Sequence, residues 1–346
     1  MIATPNDPFC ARKRQMLPGG DRGVLSRHWM PFWALTILLS ATSPADVRSI
    51  PAELLAITKT TTVIGAFRPT PQFDRHDPSN IIRYDGFYWV FYTRNVGYHK
   101  EVSVQAAKSA DGYQWTDLGE ALGLGRGGAW DESGAIAPYV VSHEGEFYLF
   151  YTGFRGGHLA TRELGCAIAE HPGGPWIRWH GNPILRQSPD PTAWDSGMLG
   201  DSNVLFRQGK WWLYFKSRRD TETSRETRVG VAVADEITGP YRKHPDNPLF
   251  AGHAFSAWRH RDGVAALCGV VSPKIKWSPD GLHFLDAGEM PNQSTGLFSP
   301  DADSDPDSLR GLDWGLEVYK EAGTRGLRRF DCGPGTAEHT QPSGGQ

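Results

Sequence analysis

His76-Asp77-Pro78-Ser79-Asn80, followed by Phe87-Tyr88-Trp89-Val90-Phe91-Tyr92, is the first copy of a pattern that returns along the chain: a polar or acidic cluster, then an aromatic-rich run. The second copy sets Trp130-Asp131-Glu132-Ser133 before Phe147-Tyr148-Leu149-Phe150-Tyr151. The third sets Trp194-Asp195 and Asp201-Ser202-Asn203 before Trp211-Trp212-Leu213-Tyr214-Phe215, and Gly252-His253 opens a weaker fourth over Val264-Ala265-Ala266-Leu267. A self-similar unit of roughly sixty residues built from short strands signals propeller blades, because one blade cannot bury its two faces without neighbours. The expected fold is all-β, a five-bladed β-propeller whose opening clusters face one axial pocket.

Later parts of each unit repeat as well. Ser109-Ala110-Asp111-Gly112-Tyr113-Gln114-Trp115 is echoed by Ser278-Pro279-Asp280-Gly281-Leu282-His283-Phe284, and Asp-Gly between alternating runs marks a tight turn whose positive φ glycine tolerates. Arg162-Glu163-Leu164-Gly165-Cys166-Ala167-Ile168-Ala169 leads to Gly174-Pro175-Trp176 and Asn182-Pro183-Ile184. In the same order Arg225-Glu226-Thr227-Arg228-Val229-Gly230-Val231-Ala232-Val233-Ala234 leads to Gly239-Pro240-Tyr241 and Asn247-Pro248-Leu249. The fifth blade is the least regular; Trp314-Gly315-Leu316-Glu317-Val318-Tyr319 supplies a strand, and an early strand near Val63 can close the ring. The expected division is residues 1–60 as export signal and linker, 61–332 as propeller and 333–346 as a disordered Gly/Pro/Ser/Thr-rich tail.

The chain has 346 residues, a length one large all-β domain can fill. A formal net charge of −3 without a long basic run gives no support for a nucleic-acid partner. Thirteen tryptophans suit sugar stacking as well as strand packing. Cys10, Cys166, Cys268 and Cys332 are far apart and form no CxxC pair, so neither a zinc ribbon nor a disulfide framework is indicated. Near the N-terminus come Arg12, Lys13, Arg14, Arg22 and Arg27, then an apolar run from Trp29 to Leu39, then Ser43-Pro44-Ala45. That order resembles an export signal and is too short for an ordinary membrane span, so the expected location is secreted or periplasmic.

Cleaving a glycosidic bond takes a base or nucleophile on one face of the sugar and an acid on the other, and groups from different blades suit that geometry. Asp77, just ahead of the first aromatic strand, is the candidate base. Asp201 sits in the same frame of the third repeat and is the candidate second carboxylate, with Asp195 a competitor in the same loop. Asp131 and Glu132 open the second repeat and can bind hydroxyls or supply an acid. His253 opens the fourth, where imidazole can act as a general acid if its pKa lies near the working pH. Arg94, Arg162, Lys216 and Arg225 recur near strand ends as candidate grips for hydroxyl or carboxylate groups, or as partners of nearby glutamates. For each acidic residue the competing reading is a turn or cap.

With those motifs in order from His76 to Tyr319, the chain resembles the five-bladed glycosidases of families 43 and 32, and most of all glycoside hydrolase family 117, the α-1,3-L-neoagarooligosaccharide hydrolases. The resemblance implies an exo-acting, inverting O-glycosidase with Asp77 as base, Asp201 as second acidic residue and His253 as an unusual general acid. It also implies a divalent cation near the site, for which the residues give no independent sign. The family follows its glycine-histidine pair with glutamate; here Ala254 follows, which puts agar specificity in doubt. A counterpart of the family's N-terminal dimerising segment is not found. The competing readings are a family 43-like arabinofuranosidase or xylosidase, a glycoside phosphorylase, and a carbohydrate-binding propeller without catalysis.

Overall fold

The computed structural model describes residues 50–97, 101–156, 161–269, 274–290, 295–298 and 312–334. The segment expected to be an export signal and the expected tail beyond 334 lie outside the described residues. Among the described residues, twenty-two strands form five antiparallel sheets. Strand β1 (Ile57–Val63) comes first but belongs to the last sheet. Blade 1 holds β2 (Asp74–His76), β3 (Ile82–Tyr84), β4 (Phe87–Val96), β5 (Glu101–Ser109) and β6 (Trp115–Leu122), with β2 and β3 both paired to β4 as one interrupted inner strand. Blade 2 holds β7 (Gly134–His143), β8 (Glu146–Phe154), β9 (Arg162–Ala169) and β10 (Ile177–Arg178). Blade 3 holds β11 (Met198–Arg207), β12 (Lys210–Arg218), β13 (Arg228–Ala234), β14 (Arg242–Lys243) and β15 (Phe250–Ala251). Blade 4 holds β16 (His253–His260), β17 (Gly263–Gly269), β18 (Lys274–Ser278) and β19 (Leu285–Glu289), and blade 5 holds β20 (Thr295–Phe298), β21 (Trp314–Glu321) and β22 (Thr324–Pro334), with β1 outside.

The second strand of each unit is buried along most of its length, as in β8, where only Glu146 is exposed. That follows from packing between two neighbours: side chains alternate between faces, and both faces meet another blade. An apolar core therefore forms at each blade junction. Phe91 and Leu149 meet in the core between blades 1 and 2, Phe150 and Leu213 between 2 and 3, Tyr214 and Ala266 between 3 and 4, Trp277 and Phe330 between 4 and 5, and Trp314 and Tyr92 between 5 and 1. Five junctions for five blades is a closed ring.

Closure joins the two ends of the described chain. Thr58 to Val63 pair with Gly333 to Arg328, which makes an N-terminal strand the outer edge of the C-terminal blade. The early strand near Val63 therefore does close the ring. It begins at Ile57, inside the stretch expected to be linker, because the cross-chain ladder and not local composition sets its start.

Candidate active site

The inner strand of a blade decides what reaches the axis. In blades 2, 3 and 4 that strand carries a β-bulge at one register, between Ile136 and Tyr139, Gly200 and Asn203, and His253 and Phe255. The residues preceding the bulge are equivalent: Ile136 faces Thr152, Gly200 faces Lys216 and His253 faces Gly269, while in blade 1 His76 faces Thr93 where the inner strand breaks. The next residue is left-handed in all four, with φ of 48° at Asp77, 49° at Ala137, 50° at Asp201 and 53° at Ala254. A bulge leaves its extra residue out of the ladder and re-aims its side chain. Aspartate takes the left-handed region more readily than most residues, whereas alanine is strained there by its Cβ.

A cavity of about 400 Å³ opens at this level, lined by Asp77, Pro78, Asn80, Ala137, Tyr139, Asp201, Ser202 and Asn203 among others. Asp77 and Asp201, both expected to be catalytic, thus meet in one cavity. The floor is braced between blades. Asn80 accepts from Val140 N–H and donates to Val140 C=O, both at 2.8 Å, and Asn203 accepts from Ala257 N–H at 2.9 Å. Thr93 Oγ1 accepts the N–H of Ala137 at 2.9 Å, pinning one bulge residue from the neighbouring blade. The hydroxyls of Ser202 and Thr152 are buried without a partner among the described residues. Such groups are costly unless water or a ligand meets them.

Each carboxylate has a dedicated partner. Asp77 Oδ2 lies 2.6 Å from His76 Nδ1, and the other ring nitrogen of His76 is 3.4 Å from Asn95 Nδ2. His76 precedes the candidate base in sequence but was not singled out as functional; the adjacent His-Asp pair was the only signal. Asp201 Oδ2 lies 2.5 Å from Lys216 Nζ, with both side chains nearly buried. Burial pushes the Asp201 carboxyl up from its ordinary range, Asp77 adds to the rise, and Lys216 and Arg162 oppose it.

His253 is half-buried and contacts Thr227 Oγ1 through Nδ1 at 3.1 Å. Its pKa is lowered to about 3, first by the charge of Lys216 and then by burial; Arg218 and Arg162 act in the same direction and Asp77 against them. The expected imidazolium acid is therefore a neutral imidazole in the protein alone. It also stands one residue before the bulge position, which in blade 4 belongs to Ala254.

Other expected site residues lie elsewhere. Asp131 is buried and bonded to Arg178 Nε at 2.7 Å and to Tyr151 Oη at 2.9 Å, with Trp130 stacked on Tyr151. Its equivalent Asp195 pairs with Lys243 at 2.5 Å beside Trp194 stacked on Phe215. Both Trp-Asp pairs therefore clamp the outermost strand of their blade, and neither lines the cavity. The blade-2 counterpart of Asp77 is Ala137, so the frame placing Asp131 and Glu132 on the axis is corrected by several residues. Glu132 accepts from Gly128 N–H at 2.5 Å and faces Arg155 at 3.8 Å, as a loop cap. Arg94 stacks over Phe73 at 4.8 Å, and Arg225 is exposed in a short helical turn at Ser224–Glu226. Lys216 is at the site. Arg162 lies over the Phe154 ring at 5.9 Å, and Phe154 packs with Ile136 and the cavity residue Ala137.

Among the described residues no three His, Cys, Asp or Glu side chains converge as metal ligands. With Asp77 on His76 and Asp201 on Lys216, the residues present do not fit a divalent cation held by a carboxylate set. No helix among the described residues is long and apolar enough to cross a membrane.

Comparison with known proteins agrees with this architecture. Residues 67–219 match the sequence profile of glycosyl hydrolases family 43. A probable sucrose-6-phosphate hydrolase of Vibrio cholerae is 28% identical over 171 residues, which is 48% of this chain. That stretch spans only 30% of the relative's length. Among solved structures, Zg3597, a family 117 glycoside hydrolase from the marine bacterium Zobellia galactanivorans, superposes with a TM-score of 0.74 at 24% identity, over 82% of this chain and 92% of that one. Fructan 1-exohydrolase IIa from Cichorium intybus superposes with a TM-score of 0.55 at 14% identity, over 77% and 58%. The likeness to family 117 and its propeller relatives, read first from motif order, is met by the fold.

Proposed function

We propose that the protein hydrolyses an O-glycosidic bond at the end of an oligo- or polysaccharide. The observation that carries this reading is the delivery of Asp77 and Asp201, from two non-adjacent blades, to one cavity by the same backbone device. Support comes also from the family 43 profile, the sucrose-6-phosphate hydrolase relative and the two superposed structures, each named as a hydrolase.

In this mechanism Asp77, held by His76, takes a proton from water as it attacks the anomeric carbon. The Asp201–Lys216 pair and the unpartnered hydroxyl of Ser202 orient the sugar ring. His253 is the acid that the family resemblance assigns, and its lowered pKa keeps it neutral in the empty site at neutral pH. Acid assistance is then weak, and turnover should depend steeply on how well the leaving group departs. Inversion at the anomeric carbon belongs to the same proposal, as does export of the chain.

A second reading, a glycan-binding propeller without catalysis, is favoured by the alanine at the blade-4 bulge and by the neutral His253. One experiment separates the two. The native protein and Asp77→Asn are incubated with aryl α- and β-glycosides and with agar, carrageenan and arabinan oligosaccharides, and the released anomer is followed by proton NMR. Hydrolysis by the native protein that the variant loses supports the enzyme; binding without hydrolysis after long incubation supports the alternative.

A further inference from the structure

Asp77 meets one ring nitrogen of His76, and the strand ladder beneath decides what meets the other. Strand β2 pairs with β4 so that Asp74 faces Asn95, Arg75 faces Arg94 and His76 faces Thr93. Thr93 and Asn95 fall on one face of β4, and a diagonal neighbour across a ladder lies within reach of a long side chain. The Thr93 hydroxyl, directly opposite His76, is turned to the next blade, where it accepts the N–H of Ala137 at 2.9 Å. The diagonal residue is the one that reaches the ring: Asn95 Nδ2 lies 3.4 Å from His76 Nε2, and both side chains are buried. Charged neighbours on the two strands turn elsewhere. Arg75 donates to the Arg68 carbonyl at 3.0 Å, Asp74 accepts the N–H of Arg325 at 2.7 Å, and Arg94 lies over Phe73. Two residues past Thr152 and Lys216, at the matching place, blades 2 and 3 carry Phe154 and Arg218, so of these three blades the buried amide belongs to the one whose candidate base follows a histidine.

We propose that Asn95 is a positioning residue for the base: it fixes the tautomer of His76 and, through that ring, the orientation of Asp77. The inference rests on the reading of Asp77 as base. Which ring nitrogen of a histidine carries hydrogen is set by the bond that the other nitrogen makes. An amide N–H donates and cannot accept, so the Nε2 it faces offers a lone pair and the ring hydrogen sits on Nδ1. That hydrogen points at Asp77 Oδ2, 2.6 Å from the nitrogen, and the carboxylate accepts it. One arrangement satisfies both partners. A second hydrogen on Nε2 would confront the amide N–H, so the ring orients the carboxylate through a neutral hydrogen bond and not through an ion pair. The difference matters for a base, because a full opposite charge beside a carboxylate favours its ionised form and weakens its hold on a proton. The buried amide thus keeps Asp77 both aimed and basic.

Long-range proton–nitrogen NMR of isotope-labelled histidine rings tests the arrangement, with the His76 signals picked out of the twelve histidines by their loss in His76→Gln. At neutral pH the native ring should show a hydrogen-bearing Nδ1 and a bare Nε2. Asn95→Asp keeps the size of the side chain but sets an acceptor against Nε2, which should bring hydrogen onto that nitrogen and lower kcat by about tenfold with KM within about twofold of the native value. The rates are measured on whichever aryl glycoside the native protein cleaves. The native spectrum needs no change at Asn95, so the tautomer is tested even where that variant fails to fold. A native Nε2 that carries hydrogen, an unchanged ring pattern in Asn95→Asp, or an unchanged kcat there overturns the inference. Hydrolysis that Asp77→Asn abolishes, together with a hydrogen-bearing native Nε2, removes the role of Asn95 and leaves the glycosidase reading standing. A native protein that cleaves no glycoside sinks that reading, while the ring pattern still supports or overturns the tautomer assigned to Asn95.

Discussion

Lys216→Met is the most searching single change, because it removes the charge that both Asp201 and His253 answer to. Met keeps most of the lysine stem and so fills the same space. The side chains of Lys216 and Asp201 are 11% and 13% exposed, so the change strands a carboxylate in a nearly dry site. Removing one partner of such a pair costs about 3–5 kcal/mol. Asp201 can escape part of that cost by keeping its proton. Burial and Asp77 already raise its pKa above the ordinary 3.8, and without Lys216 it rises further. A carboxyl whose folded pKa exceeds its unfolded value contributes most stability at low pH and loses it as pH climbs from the unfolded towards the folded value. The loss should therefore be smaller at pH 5, where the stranded carboxyl keeps more of its proton, than at pH 8. Equilibrium urea unfolding followed by tryptophan fluorescence measures both. Equal losses at the two pH values, or a loss under about 1 kcal/mol at pH 8, as for an exposed pair, would refute the reasoning. The same variant should move the His253 pKa up from about 3 towards its usual 6.5, read by NMR titration of the histidine ring protons.

His76→Ala should lower kcat by about ten- to a hundredfold with KM and folding little changed, as expected for a residue that positions the base; rate assays and a thermal melt check this. Asp131→Ala should cost about 3 kcal/mol of stability by stranding Arg178 and Tyr151, while the rate per folded molecule stays near the native value, as unfolding curves and active-site titration would show. Gly165→Ala puts a methyl 2.5 Å from the Trp130 ring and should cost about 1–3 kcal/mol in the same unfolding assay. Asn80→Ala removes both bonds to Val140 across the first blade junction and should cost about 1–3 kcal/mol, visible as faster amide exchange at Val140.

Much of the fold is written locally. Aromatic and β-branched runs between turn residues specify strands, and their recurrence specifies blades, because each run needs a neighbour on both faces. The Ser-x-Asp-Gly turns form as their chemistry directs: Ser109 and Ser278 each accept a glycine N–H, at 2.8 and 2.9 Å, and the aspartates bond the following amides. Asn182 and Asn247 each tie down a strand at an equivalent place, accepting at 2.9 and 2.8 Å. Even the closing strand at Ile57–Val63 was within reach of pattern reading.

What the chain alone could not decide was which polar residue of each cluster turns to the axis. Asp131, Asp195 and Asp201 look alike in one dimension. The first two are drawn outward by Arg178 and Lys243, cations from strands far along the chain, whereas Asp201 is turned inward by a bulge whose register depends on pairing with β12. His253 was legible as a histidine in the right repeat, but its protonation state is set by the charge of Lys216, by burial and by Arg218 and Arg162, all contributed by the packing of other blades around it. Alternation and turn chemistry act between neighbours in sequence and so can be read there. The direction of a bulged side chain and the field at a buried ring are set by distant residues, and only the tertiary structure brings those together.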